Sequence, residues 1–306
     1  MPLTYHTLDV FTRTRFTGNP LAVVLDADEL SPHDMQTIAR EFNLSETVFV
    51  CQPDSQFHSA RIRIFTPQQE LAFAGHPIVG TATILAQIKT PKVNREQDAI
   101  IALECRLGVV RVGVRLKEHD ATLAEFDAPK LPKQAGDLPP LERLAAGLGL
   151  IPNEIGFENH KPVCFAAGLA FAFIPIRSLQ AIEKARIDPR HWAAAFEEQG
   201  LVGAYLYTRQ CVHTTSAFHT RMFAPSAGIP EDPATGSAAV CLAGVLDHFD
   251  DFPDGTHRRV VEQGYSMGRP SEITITSVIK AGKLETVRIG GPSIAVSTGT
   301  LQLASD

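Results

Sequence analysis

Two stretches of this chain carry nearly the same local pattern. Arg63, Ile64, Phe65, Thr66, Pro67 is answered by Arg221, Met222, Phe223, Ala224, Pro225, and each reads as a strand end followed by a short loop into an apolar helix. The echo continues downstream. Eight residues after Pro67 comes Gly75, His76, Pro77, Ile78, Val79, Gly80, Thr81, Ala82; seven after Pro225 comes Asp232, Pro233, Ala234, Thr235, Gly236, Ser237, Ala238, Ala239. One gap aligns the two loops. Strand-loop-helix units are common and proline is favoured at helix starts, so part of the likeness is generic. The agreement of order, spacing and residue type together favours a duplicated unit. A chain of 306 residues exceeds one ordinary domain and has room for two. If two like halves face each other, the helix N-termini after Gly75 and Asp232 flank one cleft, where unpaired backbone N–H groups draw an anion.

Periodicity fills in the rest. In the first half, 5–11 and 21–25 read as strands around the turn residues Thr17, Gly18, Asn19 and Pro20. Ser31 caps a helix with Pro32 in its first turn, Met35, Ile38, Ala39 and Phe42 repeat along it, and Asn43 ends it. Strands follow at 47–51 and 59–65, then a helix opened by Pro77, then strands at 100–105, 109–116 and 122–126. The Pro-rich stretch 128–140 is the best boundary. Beyond it, 163–167, 170–176, 204–208 and 212–223 read as strands, and Asp188 and Pro189 start a helix bearing Trp192 and Phe196. Pro233 opens a helix apolar nearly all round over 238–246, which sheet must enclose. Further strands are read at 257–263, 272–279, 285–289 and 294–303.

A formal charge of −6 with no run of Lys or Arg argues against a nucleic-acid partner. No apolar stretch reaches the roughly 18 residues needed to cross a bilayer, so a soluble, cytoplasmic protein is expected. Cys51, Cys105, Cys164, Cys211 and Cys241 are scattered, without zinc or thioredoxin spacing, and read as reduced, buried thiols. There is no Lys-ended phosphate loop, no His-Glu-x-x-His and no Gly-x-Ser-x-Gly, and Gly147 with Gly149 does not complete a dinucleotide fingerprint. Neither a metal nor a cofactor is expected.

Five segments carry a resemblance: 9–20 with Phe16, Thr17, Gly18, Asn19, Pro20; Asn43, Leu44, Ser45, Glu46, Thr47; 73–82 around Gly75, His76, Pro77; 231–238; and Gln263, Gly264 with 267–271. In order and spacing they resemble the PhzF-like phenazine-biosynthesis proteins, which share the diaminopimelate epimerase fold. The resemblance implies an α+β architecture of two pseudo-symmetric domains, each a curled, mostly antiparallel sheet around a central helix. It implies a first domain of 1–127 completed by the C-terminal strand at about 293–306, a second domain of 128–292, an active site between them, and a homodimer. Amino-acid epimerases of this fold carry a cysteine at each helix start; Gly75 and Asp232 stand there in this chain, so racemisation by a cysteine pair is excluded.

What the resemblance assigns must be weighed against plainer roles. Glu46, alone, reads as a surface glutamate at a helix-to-strand turn; by resemblance it is the proton-transferring acid, partly buried and so raised in pKa. His76 reads as a helix-start histidine, and by resemblance hydrogen-bonds a substrate carboxylate or hydroxyl. Asp232 reads as an N-cap, and by resemblance orients a substrate ammonium or hydroxyl, with Gly236 and Ser237 offering donors to the carboxylate. Gly75 permits close backbone approach, and Asn19 is a turn residue that the resemblance makes a substrate contact as well. The implied reaction is a cofactor-independent proton shift on a small unsaturated carboxylate, of which a dihydro-hydroxyanthranilate is the family's named substrate. A pocket retained for ligand binding without turnover stays open, as does epimerisation at a single stereocentre.

Overall fold

β1 (Leu3–Val10) and β2 (Asn19–Val24) pair antiparallel, Tyr5 opposite Val24 and Val10 opposite Asn19, in a computed structural model that describes residues 2–118 and 120–303. α1 (Pro32–Phe42) follows. Ser31 Oγ accepts the Asp34 N–H while the Asp34 carboxylate accepts the Ser31 N–H, and Asn43 ends the helix in the left-handed conformation, φ 51°. β3 (Glu46–Cys51) then runs parallel to β2, β4 (Ala60–Phe65) antiparallel to β3, and β5 (Glu70–Leu71) antiparallel to β4. After α2 (Gly75–Lys89), β6 (Gln97–Cys105) returns parallel to β4, and β7 (Gly108–Leu116) and β8 (Thr122–Asp127) complete the meander.

The second run begins with β9 (Lys133–Gln134), α3 (Leu141–Gly147) and the antiparallel pair β10 (Val163–Ala166) and β11 (Ala170–Pro175). Two short helices, α4 (Leu179–Lys184) and α5 (Trp192–Ala195), lead to β12 (Gly203–Thr208), parallel to β11. β13 (Phe218–Ala224) is antiparallel to β12 and β14 (Ile229–Asp232) antiparallel to β13; after α6 (Gly236–Phe249), β15 (Gly255–Gln263) returns parallel to β13, with β16 (Ser271–Lys280) antiparallel to it. The pairing types from β10 to β16 therefore repeat those from β1 to β7 one for one. β17 (Lys283–Leu301) follows, and its residues from Ser293 pair antiparallel with β1. The contacts gather into two compact units: residues up to Pro129 with those from Gly290 onward, and Lys130 to Ile289. Residues 304–306 of the expected closing strand lie outside the described residues.

The duplication extends to side-chain chemistry. Arg63 forks onto Glu70 through Nε and Nη2, both at 2.8 Å, and Arg221 does the same to Glu231, both at 2.8 Å. Each guanidinium also lies over the phenylalanine two residues on, at 5.2 Å from the Phe65 ring and 4.7 Å from the Phe223 ring. At the same offset along the chain, Glu104 accepts the backbone N–H groups of Asp54 and Ser55, and Glu262 those of Val212 and His213. Four positions per unit thus do matching work, which chance similarity of two helix starts does not produce.

Each unit encloses one helix. α2 is buried from Gly75 through Ile84, and α6 is buried from Ala238 through Leu246, so the apolar circumference read from the sequence is an enclosed helix in both cases. α1 instead lies on the outside of the first unit's sheet, burying Met35 and Ala39 with Val24, Phe49 and Phe65. The α+β, two-domain architecture expected from the sequence is the one found. Among the described residues no helix is long and apolar enough to cross a membrane.

Local differences have local causes. The strand read over 212–223 begins only at Phe218, because Val212 and His213 give their N–H groups to the Glu262 carboxylate instead of a ladder. α2 starts at Gly75 rather than Pro77, since proline sits comfortably in a first turn, where its missing N–H has no intrahelical partner to lose; α6 starts at Gly236, with Pro233 left outside it ahead of the capping residue Thr235. The helix read from Asp188 is a single turn, and 285–289 with 294–303 is one long strand. α3 and α4 are too short to announce themselves by periodicity.

Candidate active site

In the first unit, the parallel pairing of β2 with β3 sets Leu21 opposite Glu46, so Glu46 opens one strand close to where Asn19 opens its neighbour. Asn19 is fully buried. Its approach depends on Gly18, at φ +67°, where a Cβ would come within 2.5 Å of both Val10 O and Thr12 Cγ2. Glu46 is also buried, at 8% exposure, which rules out the surface-glutamate role. The second residue of α2 meets it: His76 Nε2 lies 3.4 Å from Glu46 Oε2, without the geometry of a hydrogen bond. Gly75 begins the helix beside it, after Ala74, with no side-chain cap and no acid in the first turn.

Burial pushes the His76 imidazole down, to about 3, so it is neutral in the working range. A neutral imidazole offers one donor and one acceptor beside a carboxyl group without competing for its proton. The same burial has a consequence for stability. Because the folded pKa lies below the ordinary 6.5, the unfolded chain binds the extra proton, and stability present above pH 6.5 is lost as pH falls from 6.5 toward 3. Going from pH 7 to pH 5, this one group should cost about 2 kcal/mol. Urea unfolding at the two pH values, on wild type and His76→Asn, should show the variant missing that share of the loss; an equal loss in both would contradict it.

In the second unit, Asp232 ends β14 and is buried at 8% exposure. It is not an N-cap. The capping position belongs to Thr235, whose hydroxyl turns away from the helix and donates to Asp232 Oδ2 at 2.6 Å. Gly236 and Ser237 are the first two residues of α6, with no side-chain cap and no acid in the first turn, as in α2. Their backbone N–H groups are among the four that no α-helix satisfies internally, and they carry the positive end of the helix dipole. Gln263, at the end of β15, holds the Pro233 to Thr235 loop. Gly264 follows at φ +81°; a Cβ there would sit 2.3 Å from Arg269 O and 2.7 Å from Pro233 O.

Nucleophilic sulfur is absent from both helix starts. Cys51, Cys164 and Cys241 are buried, and burial pushes the Cys241 thiol up to about 12; Cys211 is pushed as high, by burial first and then by the Glu262 carboxylate. The model of the phenazine biosynthesis-like proteins, PhzC-PhzF, covers residues 8–299. The chain belongs to that family. An uncharacterized isomerase of Mesorhizobium japonicum is 46% identical to this PhzC-PhzF chain over 301 residues, 97% of it and 98% of the relative. The trans-2,3-dihydro-3-hydroxyanthranilate isomerase of Pseudomonas aeruginosa is 33% identical over 299 residues, 98% and 99% of the two chains. A crystal structure of a Bacillus anthracis PhzF family protein has a TM-score of 0.88 at 24% identity, covering 99% of this chain and all of the other, and bears on the fold alone.

Three residues around Asp232 in this PhzC-PhzF member had no role assigned from sequence: Thr235 and Gln263, which lie in the matched segments, and Tyr205. Gln263 had a visible signal, a polar pair ending the β-branched run of Val260 and Val261 directly before a glycine. Tyr205 had none, since a tyrosine within a strand reads as packing.

Proposed function

We propose that this chain, an isomerase of the PhzC-PhzF family, moves a proton between two carbons of a small unsaturated carboxylic or amino acid, with Glu46 as its acid-base group. The observation that carries the reading is the buried Glu46 carboxyl 3.4 Å from His76 Nε2 at the start of a helix without a side-chain cap. Glu46 as carboxylate takes a proton from the carbon next to the conjugated system, and electron density passes toward the substrate carboxylate. Glu46 as acid then returns the proton to a second carbon on the same face. Neutral His76 hydrogen-bonds the substrate carboxylate or hydroxyl without forming a competing ion pair. The N–H groups of Gly75 and His76 at the start of α2 stabilise the negative charge that builds up, a contribution of about 3 kcal/mol in a dry site; Gly236 and Ser237 offer the same kind of donor at the start of α6. Asp232 holds a substrate ammonium or hydroxyl, and Asn19 supplies a further contact. No cofactor takes part in these steps.

The substrate class is a dihydro-hydroxyanthranilate-type acid, the kind named for the Pseudomonas aeruginosa relative. A cytoplasmic homodimer is the assembly this family reading carries with it, and sedimentation at micromolar concentration measures it. To test the function, trans-2,3-dihydro-3-hydroxyanthranilate and a panel of β,γ-unsaturated amino and hydroxy acids are incubated with the enzyme in deuterated buffer and followed by NMR. Double-bond migration with deuterium at carbon is the expected result. Inversion at one stereocentre would replace the reading by an epimerase, and binding without exchange by a ligand-binding protein.

A further inference from the structure

The side-chain amide of Gln263 is fully buried and has a partner within reach at each of its four hydrogen-bonding positions. Nε2 donates to the Asp232 carbonyl at 2.7 Å and to Thr235 Oγ1 at 3.1 Å; Oε1 accepts from the Thr235 N–H at 3.2 Å and from the Tyr205 hydroxyl at 3.2 Å. The orientation of the amide is not a free choice. A backbone carbonyl requires the N–H edge on one side and a backbone N–H requires the oxygen on the other. With an amide hydrogen directed at its oxygen, the Thr235 hydroxyl has its own proton to give, and it gives it to Asp232 Oδ2 at 2.6 Å. Behind Gln263, Thr220 Oγ1 donates to the Glu262 carbonyl at 3.0 Å and lies 3.1 Å from the Tyr205 hydroxyl, so it shares with Gln263 Oε1 the one phenolic proton. Tyr205 and Thr220 are fully buried, and burial pushes the Tyr205 phenol up, so it stays a donor.

We propose that Gln263 is a positioning residue for substrate binding: through Thr235 it orders a one-way hydrogen-bond relay that orients Asp232 as an ionised acceptor and holds the start of α6 in place. This rests on the reading of Asp232 as the group that receives the substrate's ammonium or hydroxyl. The relay accounts for the residue type. A carboxylate at 263 would turn two donors into acceptors facing the Asp232 carbonyl and the Thr235 hydroxyl, reversing the relay and placing a second negative charge beside Asp232. A leucine of similar volume would withdraw the Nε2 donor from the Asp232 carbonyl and the Oε1 acceptor from the Thr235 N–H, putting an apolar group in their place.

The test combines kinetics on trans-2,3-dihydro-3-hydroxyanthranilate with titration of the Asp232 carboxyl by carbon NMR, assigned with Asp232→Asn. Gln263→Leu should lower kcat/KM about 30-fold, mostly by raising KM, and Gln263→Glu should lower it further. Thr235→Val should raise the Asp232 pKa and the acid limb of the pH profile together by about one unit, because a hydrogen bond to the charged form is lost, while Thr235→Ser restores both. A structural role alone would move stability without moving the titration. The relay is overturned if Thr235→Val leaves the Asp232 titration in place, or if Gln263→Leu keeps wild-type KM. Wild-type inactivity on this probe would count against the substrate reading only, and the titration, which needs no turnover, would still decide the relay; it also decides should Gln263→Leu fail to fold.

Discussion

Glu46→Gln is expected to keep its fold and to lose about 10⁴-fold in kcat/KM, the upper range for removing a general acid-base group. The carboxamide has the shape of the carboxyl but neither takes nor returns a proton. Folding survives because the backbone of Glu46 supplies the β3 pairing whatever its side chain, and thermal unfolding of the variant should stay near that of wild type. Glu46→Asp withdraws the same chemistry by one methylene and should lose on the order of 10²-fold, the cost of a misplacement of about 1 Å. Steady-state kinetics beside a melting curve separates loss of chemistry from loss of structure. If Glu46→Gln turned over within tenfold of wild type, another base would have to be found.

The second large effect concerns stability and tests the duplication. Arg63 and Arg221 make the same bidentate ion pair, yet they are not equivalent. Arg221 also donates through Nη1 to the carbonyls of Ile182, Glu183 and Ala185, at 2.9, 3.1 and 2.7 Å, closing the C-terminal end of α4. Its side chain is 7% exposed against 22% for Arg63. Arg221→Ala therefore strands the Glu231 carboxylate and the carbonyls of Glu183 and Ala185, and should cost about 3–5 kcal/mol. Arg63→Ala removes a more open pair with no carbonyl cluster behind it and should cost about 1–2 kcal/mol. Urea titration of both variants measures the difference, and equal midpoints would show that the carbonyl contacts of Arg221 contribute nothing.

Much of the architecture was legible because the relevant signals are short-range. Ser31 and Asp34 lie one helical turn apart, the turn at Gly18 is written in adjacent residues, and the all-round apolar faces of α2 and α6 announce enclosed helices. The internal echo carried the duplication, although its physical content, an arginine forked onto a glutamate in each unit, was invisible until strands brought Arg63 to Glu70 and Arg221 to Glu231. Illegible features depend on partners far apart in the chain. The start of β13 is set by a carboxylate fifty residues downstream of Val212, and no local pattern reports that. In the site, Glu46 and His76 were named by motif, whereas their 3.4 Å approach follows from the parallel pairing of β2 with β3 and the burial of α2. For Asp232 only the plainer N-cap alternative fails, because a proline after an aspartate imitates an N-cap and the true helix start lies four residues on.

The central claim is that one carboxyl group both removes and returns the proton. It is tested most directly with substrate deuterated at the carbon that loses its hydrogen, turned over in ordinary water and analysed for the position and face of deuterium in the product. A single glutamate delivering to the face it took from predicts deuterium at the accepting carbon, on that same face, in part of the product, with the remainder carrying solvent hydrogen there. Protonation on the opposite face would require a second base and would contradict the assignment of Glu46 as the sole shuttle.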